Sequence, residues 1–285
     1  VSLLQNTIAL IFDFDDTLTD DSTTRLLDSY GVDTKDFWEV KVKARVKAGW
    51  DPTLAWLDLI LERVGDGKPL GNLSNEELRQ FGASLKFYKG LPALFPSLRK
   101  LVSKFKISKP TIEFYIISGG LEEIIRGSKL SKYFDGIWGC QFEEKDGRIA
   151  KIKRAISFTE KTKYLFYISK GLAAKANGDP YSVNKEVPES KRPIPFYNMI
   201  YVGDGLTDVP CFSLLKKGKG WGFGVFDPKK KGSPKTAWQK LVAPERVMTM
   251  NSPRYRQTDD LGALIRAAVS DTCVALDLKT QQALS

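Results

Sequence analysis

The stretch Ile8-Ala-Leu-Ile-Phe-Asp13-Phe-Asp15-Asp16-Thr17-Leu18 decides how this chain folds. Five apolar residues in a row, Ile8 to Phe12, suit a strand covered on both faces. Asp13 and Asp15 follow at a spacing of two, so their side chains project toward the same side of the strand's C-terminal end. Ionised carboxylates beside an apolar strand are costly unless a metal or another cation neutralises them. The carboxyl end of an open parallel sheet is also where α/β proteins gather ligands. A plain strand with an acidic turn is the alternative for Asp-x-Asp-x-Thr alone. The rest of the chain argues against it.

Three further segments follow in chain order. Thr111-Ile-Glu-Phe-Tyr-Ile-Ile117 reads as a second strand, followed directly by Ser118-Gly119-Gly120. Ser157-Phe-Thr-Glu160 has the pattern of a capping box opening a helix that carries Lys161 and Lys163. Tyr197-Asn-Met-Ile-Tyr-Val202 is another strand, with Gly203-Asp204-Gly205-Leu206-Thr207-Asp208 after it. An acid pair, a hydroxyl with two glycines, a basic helix start and a second acid pair therefore each sit at or near a strand end. In this order and these contexts the four motifs resemble those of the haloacid dehalogenase-like (HAD) superfamily of phosphohydrolases. The resemblance spans roughly residues 8–225.

A phosphomonoesterase needs a nucleophile, charge neutralisation for the phosphate oxygens and a proton for the leaving alkoxide. The resemblance implies Asp13 as the nucleophile, forming an aspartyl-phosphate, and Asp15 as the acid/base. Ser118 matches the hydroxyl that binds the transferring phosphate. The amides of Gly119 and Gly120, read as opening a helix, add donors at its positive end. Asp204 matches a magnesium ligand, together with Asp13 and the backbone carbonyl of Asp15. So small a set of oxygen ligands suits octahedral Mg2+. Asp208 and Thr17 stand behind these groups, Asp208 orienting metal waters or the lysine. For the phosphate-binding lysine, Lys161 shares a helical stripe with Leu165, Ile168 and Leu172, whereas Lys163 shares the more polar stripe of Tyr167, Lys170 and Ala174. Lys161 is the preferred choice and Lys163 the alternative.

Between the first two motifs, residues 19–88 carry helical periodicity: Phe37, Val40, Lys41, Ala44 and Ala48, then Leu54, Leu57, Ile60, Leu61 and Val64. Asp51-Pro52 and Gly65-Asp66-Gly67 punctuate the stretch, and Ser74-Asn75-Glu76-Glu77 marks a helix start. The expected architecture is α/β: a Rossmann-like HAD core with a parallel sheet, formed by residues 1–18 and 89–285, and an inserted helical cap of the first type over residues 19–88. Residues 18–22 and 87–91 are the expected hinges of a cap that closes over the site.

Within the superfamily the pattern is most similar to the phosphoserine phosphatases, in cap length, in Tyr88-Lys-Gly90-Leu and in Phe142-Glu-Glu-Lys-Asp-Gly147. Two departures concern the substrate. The glutamate that holds the substrate amine in those enzymes corresponds to about Ser22, flanked by Asp20 and Asp21. Their cap arginine has no counterpart in Leu54-Ala-Trp56-Leu-Asp58-Leu, which offers tryptophan and acid. A site built to pair both charges of an amino acid suffers when partners are missing.

Length and composition agree with a soluble enzyme, and the resemblance implies a small phosphorylated metabolite as its partner. A chain of 285 residues with 42% hydrophobic content supports a large core and a second module. No apolar run reaches the roughly 20 residues of a membrane span, and residues 1–12 read as a strand rather than a signal peptide. A cytoplasmic location and no membrane partner are expected. The absence of histidine excludes imidazole triads and histidine-ligated metals, so carboxylates do any acid–base work. Cys140, Cys211 and Cys273 are odd in number and widely spaced, which suggests neither a zinc site nor a disulfide framework. Residues 177–195 hold Pro180, Pro188, Pro193 and Pro195 and read as a long loop. Residues 216–240 hold eight lysines against Asp227, interleaved with Trp221, Phe223, Phe226 and Trp238, in a chain of net charge +10. Such a run can track a polyanion but is more often a solvated face, and nucleic acid is not the expected partner. The reading is a magnesium-dependent phosphatase. The alternatives are a phosphotransferase or mutase of the same fold and a basic nucleic-acid-binding protein on that scaffold.

Overall fold

Strand β1 (Thr7–Phe12) is the middle strand of the molecule, and Ile8 through Phe12 are all fully buried, so side chains on both of its faces are covered. The computed structural model describes residues 5–176, 178–228, 235 and 238–284. Six more strands join β1: β2 (Thr111–Leu121), β3 (Gly136–Lys145), β4 (Arg148–Arg154), β5 (Met199–Gly203), β6 (Trp221–Val225) and β7 (Thr249–Asn251). Their order across the sheet is β4-β3-β2-β1-β5-β6-β7. All neighbours run parallel except β3 and β4. The antiparallel pair turns at Asp146-Gly147, where both residues have positive φ (53° and 76°), as a tight hairpin of this twist requires.

Strand order reverses at β1. The chain moves from β1 to β2 on one side and later returns to place β5 on the other. Phe12 pairs with Ile116 of β2 and with Val202 of β5. This is the switch point at which open α/β sheets form a ligand crevice beyond the strand ends. The motif segments after β1, β2 and β5 meet there because their strands are immediate neighbours.

Helices cover the sheet. Among those placed by sequence position, α1 (Ser22–Ser29), α2 (Lys43–Lys47), α3 (Pro52–Leu61) and α4 (Asn75–Ala83) lie between β1 and β2, with a π-helical stretch over Asp36–Val42. Local chemistry starts each of the longer ones. Asp21 caps α1, Asp51 and Pro52 open α3, and Ser74 with Glu77 forms a capping box on α4. Phe37, Leu57, Ile60, Leu73 and Leu78 form the apolar interior of this insertion. Its stem is a pair of antiparallel connections: the Tyr88 amide donates to the Leu18 carbonyl at 3.0 Å, and the Thr19 hydroxyl donates to the Lys86 carbonyl at 2.7 Å.

Beyond the insertion, α5 (Leu94–Val102) packs on β2, and α6 (Glu122–Gly127) follows that strand. Helix α7 (Glu160–Ser169) packs on α8 (Val209–Lys217), and α9 (Asp260–Leu284) packs on α5 and β5. Among the described residues no helix is long and apolar enough to cross a membrane.

Three local readings differ from the structure. Helix α7 begins at Glu160 with Thr159 at its N-cap and no side-chain cap, so Ser157 forms no capping box; Glu160 pairs with Lys163 instead. Residues Phe196–Asn198 form a 3-10 turn, and β5 starts only at Met199. The loop ahead of it contains 3-10 turns at Pro180–Asn184 and Glu189–Lys191. It is pinned by Lys170, whose ammonium donates to the carbonyls of Val183 and Lys185. Residue 177 and, in the basic stretch, residues 229–234, 236 and 237 lie outside the described residues.

Candidate active site

The loop after β1, which carries Asp13 and Asp15, is set by hydrogen bonds that continue the sheet and then break from it. The Asp13 amide still donates to Val202 of β5 at 2.9 Å, which keeps Asp13 in register. The carbonyl of Phe14 then accepts from the amide of Leu18 at 2.8 Å, closing a turn in which Asp16 adopts a positive φ of 55°. Aspartate tolerates that conformation better than most residues. The turn leaves Asp13 and Asp15 facing one cavity, which Asp16, Ser118 and Asp204 also line.

Lys161 ties the strand ends together. It is fully buried, 3.1 Å from an Asp13 oxygen and 2.7 Å from Asp208 Oδ1. Leu165 and Ile168 of the same stripe are also fully buried. Lys163 lies two residues away on the partly exposed side and pairs with Glu160. Burial alone would lower the Lys161 pKa, but the carboxylates of Asp13 and Asp208 outweigh it and hold the ammonium well above its ordinary value.

Asp208 is fully engaged. Its Oδ1 accepts from Lys161 and from the Tyr201 hydroxyl at 2.7 Å, and its Oδ2 accepts from the Gly205 amide at 3.0 Å. Asp13, Asp204 and Asp208 each bring one oxygen within 4.8 Å of the others. Burial, and then the charges of Asp13 and Asp208, push Asp204 far above the carboxylate range. Asp13 rises to about 6, where burial and the charge of Asp208 outweigh Lys161. A cluster of closely spaced carboxylates is chemically suited to a hard cation, and the donor atoms are all oxygen.

Asp15 is held between two modules. Its Oδ1 accepts from the Ser22 amide at 2.8 Å, at the first residue of α1. Its Oδ2 lies against Gly120, where a Cβ would come within 2.3 Å, so no other residue fits there without displacing the acid. Burial, followed by the nearby charge of Asp21, raises Asp15 to about 8.

Ser118 is buried, and its hydroxyl accepts from the Gly120 amide at 3.0 Å. Gly119 and Gly120 do not open a helix. Strand β2 continues through them to Leu121, with a break in its pairing between Ile117 and Leu121, and α6 starts at Glu122. The irregular strand, not a helix dipole, presents these amides. Thr17 is buried on the far side of the loop, and its carbonyl accepts from the Tyr255 hydroxyl at 2.6 Å.

Several residues that shape the site carry no clear sequence signal. Tyr201 looks like one more core aromatic in β5, yet it supports Asp208. Glu122 is fully buried; it pairs with Arg126 and Arg154 and accepts from the Gly139 amide, fixing the junction between β2 and α6 against β3. The insertion covers the cavity of about 310 Å³ with Trp38, Thr53 and Trp56, and Asp21 lines it as well. The acid of the Trp56-Leu-Asp58 segment does not reach the cavity. Asp58 pairs with Arg45 within the insertion.

The fold, with this arrangement at its switch point, is that of the HAD hydrolases, in the form seen in phosphoserine phosphatases. A HAD family hydrolase from Salmonella enterica serovar Typhi superposes with a TM-score of 0.57 at 17% identity, over 87% of this chain and 68% of that one. A phosphoserine phosphatase solved as a phospho-aspartyl intermediate analogue gives 0.53 at 15% identity, over 92% and 98%. A probable phosphoserine phosphatase from Vibrio cholerae gives 0.53 at 16% identity, over 99% and 68%. No protein-family model matches the chain. An uncharacterized protein of Borreliella burgdorferi is 35% identical over 233 residues, which is 74% of this chain and 79% of that protein. The chain belongs to one family with it.

Proposed function

We propose that the protein is a magnesium-dependent phosphomonoesterase that works through an aspartyl-phosphate on Asp13. The observation that carries this reading is the buried Lys161, which touches Asp13 and Asp208 and lies directly behind Asp13, one of the residues that line the cavity with Asp15 and Ser118. A buried ammonium held against the carboxylate nucleophile is a preorganised cation for the phosphate charge. Residues 1–18 and 89–285 form the core, and residues 19–88 act as the cap that excludes water over the site.

A carboxylate oxygen of Asp13 attacks phosphorus as the bond from phosphorus to the ester oxygen breaks, and the Asp15 proton goes to that departing oxygen. With its pKa raised to about 8 by burial and by Asp21, Asp15 carries the needed proton at neutral pH. In the second half a water attacks the aspartyl-phosphate. Asp15, now ionised, takes the water proton, and inorganic phosphate leaves Asp13 free. Lys161, Ser118 and the Gly119 amide hold the phosphate oxygens throughout, and the Gly120 amide joins them where it exchanges its bond to Ser118 for one to phosphate.

Asp13, Asp204 and the Asp15 carbonyl would hold Mg2+, which supplies charge neutralisation at the phosphate when bound. Asp208 is the poorer ligand, because three donors already occupy its two oxygens. Release of phosphate from p-nitrophenyl phosphate, with Mg2+ and after chelation, tests the assignment. Absence of turnover under both conditions would refute it.

The acid/base role predicts a dependence on the leaving group. Asp15→Asn slows alkyl phosphates by roughly a hundredfold or more and activated aryl phosphates much less, since these need little protonation. Equal losses across a series of leaving groups would remove Asp15 from that role.

The same carboxylates predict how stability varies with pH. Asp13 and Asp15 lie above their ordinary 3.8 in the folded state, at about 6 and about 8. The folded chain therefore holds more protons than the unfolded chain between about pH 4 and about pH 8, and stability falls as pH rises through that window. The Tm of chelated protein should drop from about pH 5 to about pH 8, less steeply in Asp15→Asn. Saturating Mg2+ should recover several degrees at the upper end. An identical pH slope in Asp15→Asn would show that Asp15 contributes nothing to it.

A further inference from the structure

The cavity above the catalytic carboxylates is lined by Asp13, Asp15, Asp16, Asp21 and Asp204, and no lysine or arginine is among its lining residues. Lys161 answers Asp13 from below, and a bound metal would answer Asp13 and Asp204. Asp15 is used in proton transfer. Asp16, in the turn after β1, and Asp21 remain, and of these Asp21 stands beside the indoles and is placed by a specific device. Its carboxylate accepts from the Thr24 amide at 2.9 Å and from the Thr24 hydroxyl at 2.5 Å. Both donors are neutral, and among the described residues no cation pairs with it. The oxygen of that same hydroxyl accepts from Trp38 Nε1 at 2.8 Å. One threonine thus fixes the acid and the indole side by side, and it uses up the indole's only donor so that the ring offers its π face.

Trp56 completes the corner. The rings of Trp38 and Trp56 lie 6.2 Å apart between centroids and are inclined at 58°. Phe158 borders the same cavity from the core side. Two inclined indoles beside a carboxylate attract an organic cation through the ring quadrupole and through charge. An anionic or zwitterionic leaving group fares worse, because its carboxylate would enter a cavity of acids with no guanidinium to receive it.

We propose that this corner, formed by Trp38, Trp56 and Asp21, makes the protein selective for phosphate monoesters of short amino alcohols, whose ammonium group it binds. The inference rests on the phosphatase reading for its chemistry but makes its own claim about binding.

The test uses the full chain with Mg2+ and compares phosphocholine and phosphoethanolamine with 3,3-dimethylbutyl phosphate, the neutral isostere of phosphocholine. Phosphoserine and p-nitrophenyl phosphate serve as further substrates. For phosphocholine over the neutral isostere, kcat/KM should be higher by about tenfold or more, a difference of about 1.4 kcal/mol. Phosphoserine should fall below phosphoethanolamine. Asp21→Asn keeps a side-chain acceptor for the helix cap and should bring the phosphocholine-to-isostere ratio close to one. Trp56→Leu should lower it several-fold. Calorimetric titration of Asp13→Asn with phosphocholine and with the isostere reads the same preference without turnover. Hydrolysis of p-nitrophenyl phosphate with a ratio near one in the unmodified protein would overturn the selectivity and leave the phosphatase reading intact. So would a ratio unmoved by Asp21→Asn. Failure to hydrolyse any ester would refute the phosphatase reading instead. In that event a calorimetric preference for phosphocholine would still support the cation site, and equal affinities would overturn it.

Discussion

Asp13→Asn should be a folded protein that turns over no phosphate ester, with kcat lowered by roughly a thousandfold or more, as for other nucleophile removals. The amide has the shape of the carboxylate but neither its nucleophilicity nor its charge, so it loses the covalent step and a metal ligand together. The fold should survive. Asp13 owes its register to its backbone, through the bond from its amide to Val202, rather than to its side chain. Losing the carboxylate also relieves the repulsion that Asp204 and Asp208 exert on it. A circular dichroism melt alongside the kinetics separates the two effects, and mass spectrometry of acid-quenched enzyme should find a phosphoryl adduct in the unmodified protein only. Near-normal rates in the variant would end the aspartyl-phosphate mechanism.

Lys161→Ala and Lys163→Ala should differ sharply. Lys161 is wholly enclosed between Asp13 and Asp208, and under the proposed mechanism its loss removes a preorganised cation from the place where phosphate charge develops. We expect kcat/KM to fall by about 3 kcal/mol of transition-state stabilisation or more. The two carboxylates would be left buried without a cation, so the variant should also lose about 3 kcal/mol of stability. Kinetics must therefore be measured well below its Tm. Lys161→Arg should not rescue the rate, because a planar fork cannot occupy the site of a compact ammonium. Lys163 pairs with Glu160 on the helix surface, and its replacement should cost less than about 1 kcal/mol. The reverse pattern, with Lys163→Ala crippled and Lys161→Ala mild, would move the phosphate site along α7.

What could be read from the sequence was set by short-range physics. Five apolar residues ending in two acids define β1 because nothing else covers such a run on both faces. The stripe of Lys161, Leu165 and Ile168 aims a lysine inward by helical spacing alone, and the structure puts that lysine beside Asp13. The helices between the first motifs declare themselves through period and caps. The misses depend on tertiary context. Ser157 has the spacing of a cap, but the chain leaving β4 stays irregular until Glu160. Ser118-Gly-Gly looks like a helix entrance, but pairing with β3 resumes at Leu121 and keeps it in the sheet. Asp58 and Asp21 are both acids of the insertion. Only the packing of Arg45 against Asp58, and of Thr24 and Trp38 around Asp21, decides which one faces the cavity. Strand β7 and helix α9 lie beyond the last motif, where no short pattern announces them.

The contact between Tyr255 and Thr17 bears on how the protein comes to exist in the cell. The hydroxyl that braces the loop after β1 arrives 238 residues after the carbonyl it holds. The Tyr255 amide donates in turn to Lys89, at the stem of the insertion, at 2.7 Å. The ribosome therefore makes Asp13 and Asp15 more than 200 residues before the residue that braces their loop. A nascent chain that stops before β5 lacks Asp204, and one that stops before Tyr255 lacks the brace. Phosphatase activity in a translation reaction should then appear late, after synthesis has passed Tyr255, and not in step with the folding of the helical insertion.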